Sequence, residues 1–196
     1  IPLNQSNKTN LVILIAGSGP TDRDGNQKGM SNNSLKKLSE ELAKKENAVF
    51  SYDKRIFAQM AAGTLNEASL SFDDFIKDAK EVIAYFKNQK KYNKIIIAGH
   101  SEGALIGMVA ANGNADAYIS LAGAGRPIDE VLLEQIGKQA PFLKEEVQKN
   151  LEILKSGKTF ENKNQMLAAL FRESVQPYMI SWIKYNPQNE IKKIQI

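Results

Sequence analysis

The stretch of residues 94–110 constrains the fold more than any other part of this chain. Three consecutive isoleucines, Ile95 to Ile97, precede a Gly-His-Ser-Glu-Gly segment, and an apolar run follows it. The isoleucines fit a strand that is buried on both faces, and the small and apolar residues after the segment fit a helix packed closely on a parallel sheet. The pattern therefore predicts a strand, a sharp turn with Ser101 at its tip, and a helix.

The glycines around Ser101 have a steric explanation. A serine at the tip of such a turn takes a strained backbone conformation, and the residues two before it and two after it must be tiny for strand and helix to approach each other. Gly99 and Gly103 stand at these two positions. We therefore predict a nucleophile elbow, with an ordinary glycine-containing strand-to-helix turn as the alternative.

Strand patterns alternate with helix patterns along the first part of the chain. Short apolar runs bounded by turn residues predict strands, and apolar positions that repeat at helical spacing predict helices. Strands separated by amphipathic helices pair in parallel, which predicts a three-layer α/β sandwich that binds ligands at the carboxyl ends of its mainly parallel strands. The predicted order is strand, helix, strand, helix, strand, helix, strand, at residues 11–16, 33–46, 48–52, 71–91, 94–98, 104–110 and 115–122.

From residue 127 onward the pattern changes to helices alone. A purely helical insertion after a strand of an α/β sheet predicts a cap over the carboxyl end of that sheet, and helices that flank the sides of the sheet are the alternative. The predicted organisation is a partial α/β core at 1–126, a helical cap or lid at 127–190, and the start of a further core strand at 191–196.

The composition limits the classes of protein to which this chain can belong. Its 196 residues, 42% of them hydrophobic, can bury one substantial core, and no apolar stretch is long enough to cross a membrane. The net charge of +4 comes from lysines spread along the chain, which argues against nucleic acid as a partner. The absence of cysteine excludes disulfides and thiolate metal sites.

A nucleophilic serine needs two hydrogen-bond donors for the oxyanion that forms when it attacks. The elbow supplies the first donor, the backbone N–H of Glu102. The second is expected from the glycine-rich loop after the first strand, where we predict the N–H of Ser18, with that of Gly19 as the alternative. Pro20 has no N–H, so the donor lies before it.

The same loop allows two other interpretations, which its spacing disfavours. A phosphate-binding Gly-x-Gly-x-x-Gly fingerprint would need glycine where Asp22 stands, and a calcium loop would need glycine at its sixth position rather than its fourth. We predict instead that Asp22, Arg23 and Asp24 hold the loop in place through hydrogen bonds to residues 53–55, with a solvated loop as the alternative.

The proton acceptor for Ser101 is not evident in the sequence. His100 is the only histidine, and its place next to Ser101 at the end of the strand directs it elsewhere. In this architecture the triad acid and histidine follow the serine, after later strands. We therefore expect both to lie beyond residue 196, so that this chain is a fragment of a longer protein and is inactive alone.

Three motifs together resemble those of a known family. They are IAGSGPTDRDGN at residues 15–26, SYDKR at 51–55 and GHSEG at 99–103, in this order and at suitable separations. The combination resembles bacterial α/β-hydrolase esterases, in the branch labelled serine aminopeptidase-like or acyl-CoA thioesterase-like. The resemblance covers residues 11–127.

The resemblance implies a serine esterase that acts on short acyl esters. It implies Ser101 as the nucleophile, the backbone of Ser18 and Glu102 in the oxyanion hole, and a cap formed by the helical insertion. A peptidase, thioesterase or acyltransferase would share this nucleophile, and a non-catalytic binding protein of the same fold would keep the turn without its base.

The remaining predictions concern the ligands of the site. We assign Gly19 in the loop, and Met179 and Trp182 in an acyl pocket beneath the cap, as candidate substrate-binding residues, although apolar residues at helical spacing also form the packing between helices. No cluster of side chains has the spacing of a metal site, so we predict neither a metal ion nor an organic cofactor. The oligomeric state and the cellular compartment are undetermined, since any signal peptide would precede Ile1.

Overall fold

The computed structural model of the protein describes residues 9–196. These residues form two compact units, which are described separately below. We call them the sheet unit, with residues 9–65, 75–123 and 191–196, and the helical unit, with residues 66–74 and 124–190. None of the helices within the described residues has both the length and the apolar character needed to span a membrane.

Strands and helices follow one another in the predicted order up to residue 121, except that an additional helix, at residues 55–61, follows the second strand. The strands are β1 (Leu11–Ile15), β2 (Ala48–Ser51), β3 (Ile95–His100) and β4 (Ala117–Leu121). The α-helices are α1 (Ser34–Lys44), α2 (Arg55–Ala61), α3 (Phe72–Gln89), α4 (Glu102–Ala111), α5 (Ile128–Gln139), α6 (Lys144–Lys155), α7 (Ala168–Phe171), α8 (Gln176–Ile183) and α9 (Pro187–Lys193). Short 3₁₀ turns occur at Glu67–Ser69, Pro141–Leu143, Gln165–Leu167 and Glu173–Val175.

The strands of the sheet unit form one parallel sheet in the order β2-β1-β3-β4. Ile13 of β1 lies in register with Phe50 of β2 and with Ile97 of β3. Every residue of β1 is buried, which explains its continuous apolar run, because a strand covered on both faces has no polar face to alternate with. The predicted parallel pairing is confirmed.

One face of the sheet is covered by α1. Val12, Leu14 and Ala98 form a buried cluster there, and Leu38 and Leu42 of α1 pack against it. The spacing of these two leucines, four residues apart, places them on the same side of the helix.

The opposite face carries α3 and α4. A Cβ added at Gly107 of α4 would lie 3.0 Å from Ile97 Cγ2, so this helix rests closely on β3. Phe86 of α3 meets Phe50 of β2 edge-on, with 4.8 Å between the ring centroids. Because Phe50 and Ile97 both lie in register with Ile13, they point to one face, which is the face opposite Val12. Helices therefore lie on both faces, and the predicted three-layer α/β architecture is confirmed.

The helical unit buries an apolar core of its own. Ile128, Leu132 and further half-buried residues of α5 pack against this core, and residues 66–74 group with the unit although the predicted cap begins at residue 127. The buried core residues are Leu143, Val147, Leu151, Leu154, Leu167, Phe171, Met179 and Ile183. That this unit acts as a cap stays a prediction.

Side chains cap the start of α3. Ser71 Oγ accepts a hydrogen bond from the Asp74 N–H at 3.2 Å, and Asp74 Oδ2 accepts one from the Ser71 N–H at 2.8 Å. Two backbone donors of the first turn are satisfied reciprocally, as in a capping box.

The end of the chain corrects the prediction that residues 191–196 start a core strand. Residues 187–193 form α9 instead. Asn186 and Pro187 explain the difference, because Asn186 Oδ1 accepts a hydrogen bond from the Gln188 N–H at 2.9 Å and proline suits the first position of a helix. The isoleucines at 191 and 194 fit one side of a helix as well as they fit a strand.

Candidate active site

Ser101 lies on the turn between β3 and α4, at the carboxyl end of the sheet. Its backbone has φ 54° and ψ −119°, a left-handed conformation that residues with a Cβ rarely adopt. The Ser101 N–H donates to the Leu121 carbonyl at 2.9 Å, and the Ser101 carbonyl accepts from the Ala104 N–H at 3.0 Å. The turn is therefore held at both ends in a strained conformation.

The glycines on either side of Ser101 have no room for a side chain. A Cβ added at Gly99 would lie 2.0 Å from the Gly103 carbonyl oxygen. A Cβ added at Gly103 would lie 2.5 Å from the carbonyl oxygens of Ile15 and Ala16, at the end of β1. These obstacles are backbone atoms, so rearranging a side chain would not relieve them.

The loop after β1 runs beside Ser101. A Cβ added at Gly17 would lie 3.3 Å from Ser101 Cβ and 3.2 Å from His100 Nδ1. The backbone of Gly17, whose carbonyl shares a peptide unit with the Ser18 N–H, therefore lies close to the serine.

Two backbone donors beside Ser101 are left free. The N–H groups of Ser18 and Glu102 donate to no protein acceptor among residues 9–196. Glu102 is the first residue of α4, where backbone N–H groups have no partner within the helix and the helix dipole favours negative charge. The arrangement offers hydrogen-bond donors to an anion next to a serine hydroxyl.

A protein-family model matches most of the chain. The model of the family described as serine aminopeptidase, S33, matches residues 28–182 of the chain. The chain belongs to this S33 hydrolase family. The predicted resemblance to α/β-hydrolase esterases is confirmed at the level of the family.

Comparisons of this S33 chain with individual proteins give an esterase that is similar in sequence and a lipase structure with a weak match. Esterase EstD of Thermotoga maritima is 31% identical over 153 residues, which are 76% of this chain and 36% of the esterase. The chain thus spans little more than a third of the length of the curated relative that it matches. The crystal structure of the Paleococcus ferrophilus monoacylglycerol lipase aligns with a TM-score of 0.39 and 16% identity, over 67% of this chain and 48% of the lipase.

Side chains hold the loop of residues 17–27 from two directions. The Ser18 carbonyl accepts hydrogen bonds from Thr21 Oγ1 at 2.7 Å and from Gln27 Nε2 at 3.1 Å. Arg23 Nε and Nη2 donate to Asp53 Oδ2 at 2.9 and 2.5 Å, and this guanidinium holds the pKa of Asp53 below its usual range. The predicted hydrogen bonds between this loop and residues 53–55 are confirmed for Arg23, whereas the Asp22 carboxylate accepts from the N–H groups of Asp24 and Asn26 within the loop.

Lys54 is the residue of this S33 site that sequence reasoning missed. Its side chain is 4% exposed, and its Nζ donates to the Gly17 carbonyl at 2.5 Å. The same Nζ lies 3.4 Å from Glu102 Oε1 and 5.7 Å from the centre of the Phe75 ring. Burial lowers the pKa of Lys54, and the Glu102 carboxylate opposes that shift. The only sequence signal was its place in a charged cluster directly after a strand.

His100, the one histidine of the chain, is exposed at the end of β3. No hydrogen bond joins it to Ser101 within the described residues. The described residues therefore bring two free backbone N–H groups close to Ser101 and do not bring it a hydrogen-bonded base.

The three candidate substrate-binding residues lie in different surroundings. Gly19 has φ 67°, and a Cβ added there would meet no atom within 4 Å. Met179 is 4% exposed in the core of the helical unit, and Trp182 stacks on Phe72 with 5.5 Å between the ring centroids. Packing within the helical unit accounts for both side chains, and their contact with substrate stays a prediction. Among residues 9–196, no three His, Cys, Asp or Glu side chains come together as a metal site.

Proposed function

We propose that this protein is a serine hydrolase that cleaves short acyl esters through an acyl-enzyme intermediate. The observation that carries the proposal is the strained backbone of Ser101 between β3 and α4, beside the free N–H groups of Ser18 and Glu102. Membership of the S33 family and the similarity to an esterase support it. Gly19, with open space at its Cα, would border the acyl group.

Each step of the reaction assigns a role to one of these groups. Ser101 Oγ adds to the ester carbonyl carbon, its proton passes to a base, and the carbonyl π electrons move to the oxygen. The N–H groups of Ser18 and Glu102 donate to that oxyanion. Collapse of the adduct breaks the bond to the alcohol oxygen, which takes the proton from the base, and water then releases the acid by the reverse sequence.

We propose that the base is a histidine oriented by an acid, and that neither residue belongs to these 196 residues. His100 is the chain's only histidine and has no hydrogen bond to Ser101. The proposal predicts that this chain alone turns over no ester, whereas the protein as its gene encodes it does. Equal turnover by both would assign the base to this chain and contradict this part of the proposal.

The serine mechanism is tested in the protein as its gene encodes it, with p-nitrophenyl acetate and butyrate as substrates. Ser101→Ala is expected to lower kcat by at least about 10³-fold, since loss of the nucleophile removes the acyl-enzyme route. A fluorophosphonate probe is expected to label the wild type and to leave Ser101→Ala unlabelled. The matched control is Ser156→Ala, which changes an exposed serine at the end of α6 and leaves labelling and kcat unchanged.

Ester cleavage or labelling that persists in Ser101→Ala would overturn the proposed mechanism. A wild type that neither cleaves esters nor reacts with the probe would indicate the non-catalytic binding protein instead.

An aminopeptidase is the second candidate, because the matching family is described by that activity. It would use the same nucleophile and oxyanion hole on an amide. The two activities separate on matched substrates, p-nitrophenyl esters against p-nitroanilides of single amino acids. A higher kcat/KM on the anilides would favour the aminopeptidase.

A further inference from the structure

Lys54 is a buried cation to which ester cleavage by Ser101 assigns no role. An ammonium group loses much of its hydration on burial, so it needs partners for its three N–H donors. Lys54 has three, namely the Gly17 carbonyl, the Glu102 carboxylate and the face of the Phe75 ring. All three lie in the sheet unit, and the first two belong to the residues that surround Ser101.

The bond from Lys54 fixes the direction of the Ser18 N–H. The Gly17 carbonyl and the Ser18 N–H belong to one peptide unit, which is planar and trans, so the two groups point in opposite directions. The carbonyl is held at 2.5 Å from Lys54 Nζ. The N–H is therefore turned away from the lysine, and it remains without a protein acceptor among the described residues.

The next peptide unit is fixed from the other side. The Ser18 carbonyl accepts hydrogen bonds from Thr21 and Gln27, and Gln27 Nε2 also donates to Thr21 Oγ1 at 2.6 Å. Side chains thus hold both peptide planes that meet at Ser18. A donor held in this way does not need to reorient when charge develops on the substrate.

Lys54 also connects the two halves of the predicted oxyanion hole. Its second partner is the side chain of Glu102, whose backbone N–H is the other predicted donor. Glu102 is 5% exposed, so the ion pair is shielded from water. One ammonium group thereby contacts the peptide unit of one donor and the residue of the other.

We propose that Lys54 is a positioning residue that fixes the Ser18 and Glu102 N–H groups relative to each other as one oxyanion hole. This inference rests on the proposed function, because an oxyanion forms between these N–H groups only if Ser101 attacks a carbonyl. It assigns to the buried ion pair an effect on the transition state and not on the binding of the ground-state ester.

The experiment compares variants of the protein as its gene encodes it, assayed with p-nitrophenyl acetate. Lys54→Met alone would leave Glu102 buried without a partner, which destabilises a fold whatever the role of the lysine. The informative variant is therefore Lys54→Met/Glu102→Gln, which removes both charges and keeps their approximate volumes. Arg55→Met is the matched control, because it breaks the neighbouring ion pair of Arg55 with Asp78, at 2.6 Å.

The double variant is expected to lower kcat by about 10- to 100-fold and to leave KM within about twofold of the wild type, since the loss is confined to the transition state. Binding of a trifluoromethyl ketone, which forms an oxyanion adduct with the serine, is expected to weaken by the same factor as kcat. Thermal unfolding followed by circular dichroism reports whether the variant is folded. Arg55→Met is expected to change neither kcat nor ketone binding.

Three outcomes would overturn the inference. A folded double variant with wild-type kcat would show that Lys54 does not act on the oxyanion hole. An equal change in KM and in ketone affinity would assign the ion pair to ground-state binding. A double variant that cannot fold, together with an unfolded Lys54→Arg, would assign Lys54 to stability alone. Failure of the proposed function is a separate result, because it appears as activity retained in Ser101→Ala.

Discussion

Buried polar groups have different roles in the two units of this protein. In the helical unit, Gln176 is fully buried, and its amide donates to the carbonyls of Phe160 and Phe171 at 2.8 and 2.7 Å. Ser181 Oγ likewise donates to the Tyr178 carbonyl and accepts from the Phe72 N–H, both at 2.7 Å. These polar groups complete the hydrogen bonding of the backbone around them, which is what stability requires.

In the sheet unit the buried polar groups leave backbone donors free. Lys54 and Glu102 form an ion pair beneath a turn with a left-handed serine, and two N–H groups next to that serine have no acceptor within residues 9–196. Natural sequences break local rules of this kind mainly at functional sites, where the cost is repaid by activity. The difference between these examples from the two units supports the proposed site in the sheet unit.

The largest expected effect contrasts two helical glycines, one in each unit. Helix propensity alone predicts that alanine stabilises a helix by about 1 kcal/mol relative to glycine. Gly103→Ala in α4 would place a Cβ 2.5 Å from backbone oxygens of β1, so we expect it to destabilise the protein. The expected loss is at least about 4 kcal/mol, which shows in urea unfolding or as absence of folded protein.

Gly137→Ala in α5 is the matched control for Gly103→Ala. Its Cβ would meet only the flexible side chain of Lys144, at 3.2 Å. We expect it to stabilise the helical unit by up to about 1 kcal/mol, following propensity. If both substitutions stabilised the protein, the close approach of α4 to β1 would not be the reason for Gly103.

The second expected effect tests whether apolar packing alone holds the helical unit. Phe171 is fully buried there, and Phe171→Ala is expected to cost about 3–5 kcal/mol, from lost transfer energy and the cavity left behind. Urea unfolding followed by the fluorescence of Trp182, the only tryptophan, reports on this unit. Phe142→Ala changes a phenylalanine of the same unit that is 73% exposed, and its cost should stay within about 0.5 kcal/mol. Similar costs for the two variants would contradict the core as described.

Features carried by local sequence were predictable, and contacts between distant segments were not. The elbow follows from five consecutive residues and the apolar runs around them, and the parallel sheet follows from the alternation of strands and helices. The contacts of Lys54 join residues 37 and 48 positions apart, and no local pattern encodes them. The sequence also did not determine the side-chain environment of Met179, because helical spacing fits both a core and a pocket wall.

Local signals also failed where two of them competed. The isoleucines at 191, 194 and 196 suggested a strand, yet Asn186 and Pro187 start a helix. Helix α2, Arg55–Ala61, was not predicted, although Ile56, Phe57 and Met60 stand at helical spacing, because the segment is shorter than the stretch over which a helical repeat is read. At residues 187–193 the capping residues and not the hydrophobic pattern set the structure.

The smallest expected effect measures the strain stored in the backbone at Ser101. Ser101 has φ 54°, where a residue with a Cβ costs of the order of 1–3 kcal/mol, whereas glycine adopts this conformation freely. Glycine also loses more entropy on folding, by about 0.5–1 kcal/mol, so Ser101→Gly should stabilise the protein by about 1 kcal/mol while abolishing activity. Ser101→Ala keeps the Cβ and should leave the free energy of unfolding unchanged.

The matched substitution in the helical unit is Ser156→Gly. Ser156 has φ −76°, which carries no such strain, and its Oγ donates to the Ile153 carbonyl at 2.7 Å. There the same change should destabilise by about 0.5–1 kcal/mol, through chain entropy and the lost hydrogen bond. Changes of opposite sign in the free energy of unfolding, measured in urea, would show that serine at position 101 lowers stability. Its presence there would then be explained by its chemistry. If Ser101→Gly destabilised the protein as Ser156→Gly does, the left-handed turn would store no strain, and the contrast between the units would rest on the buried ion pair alone.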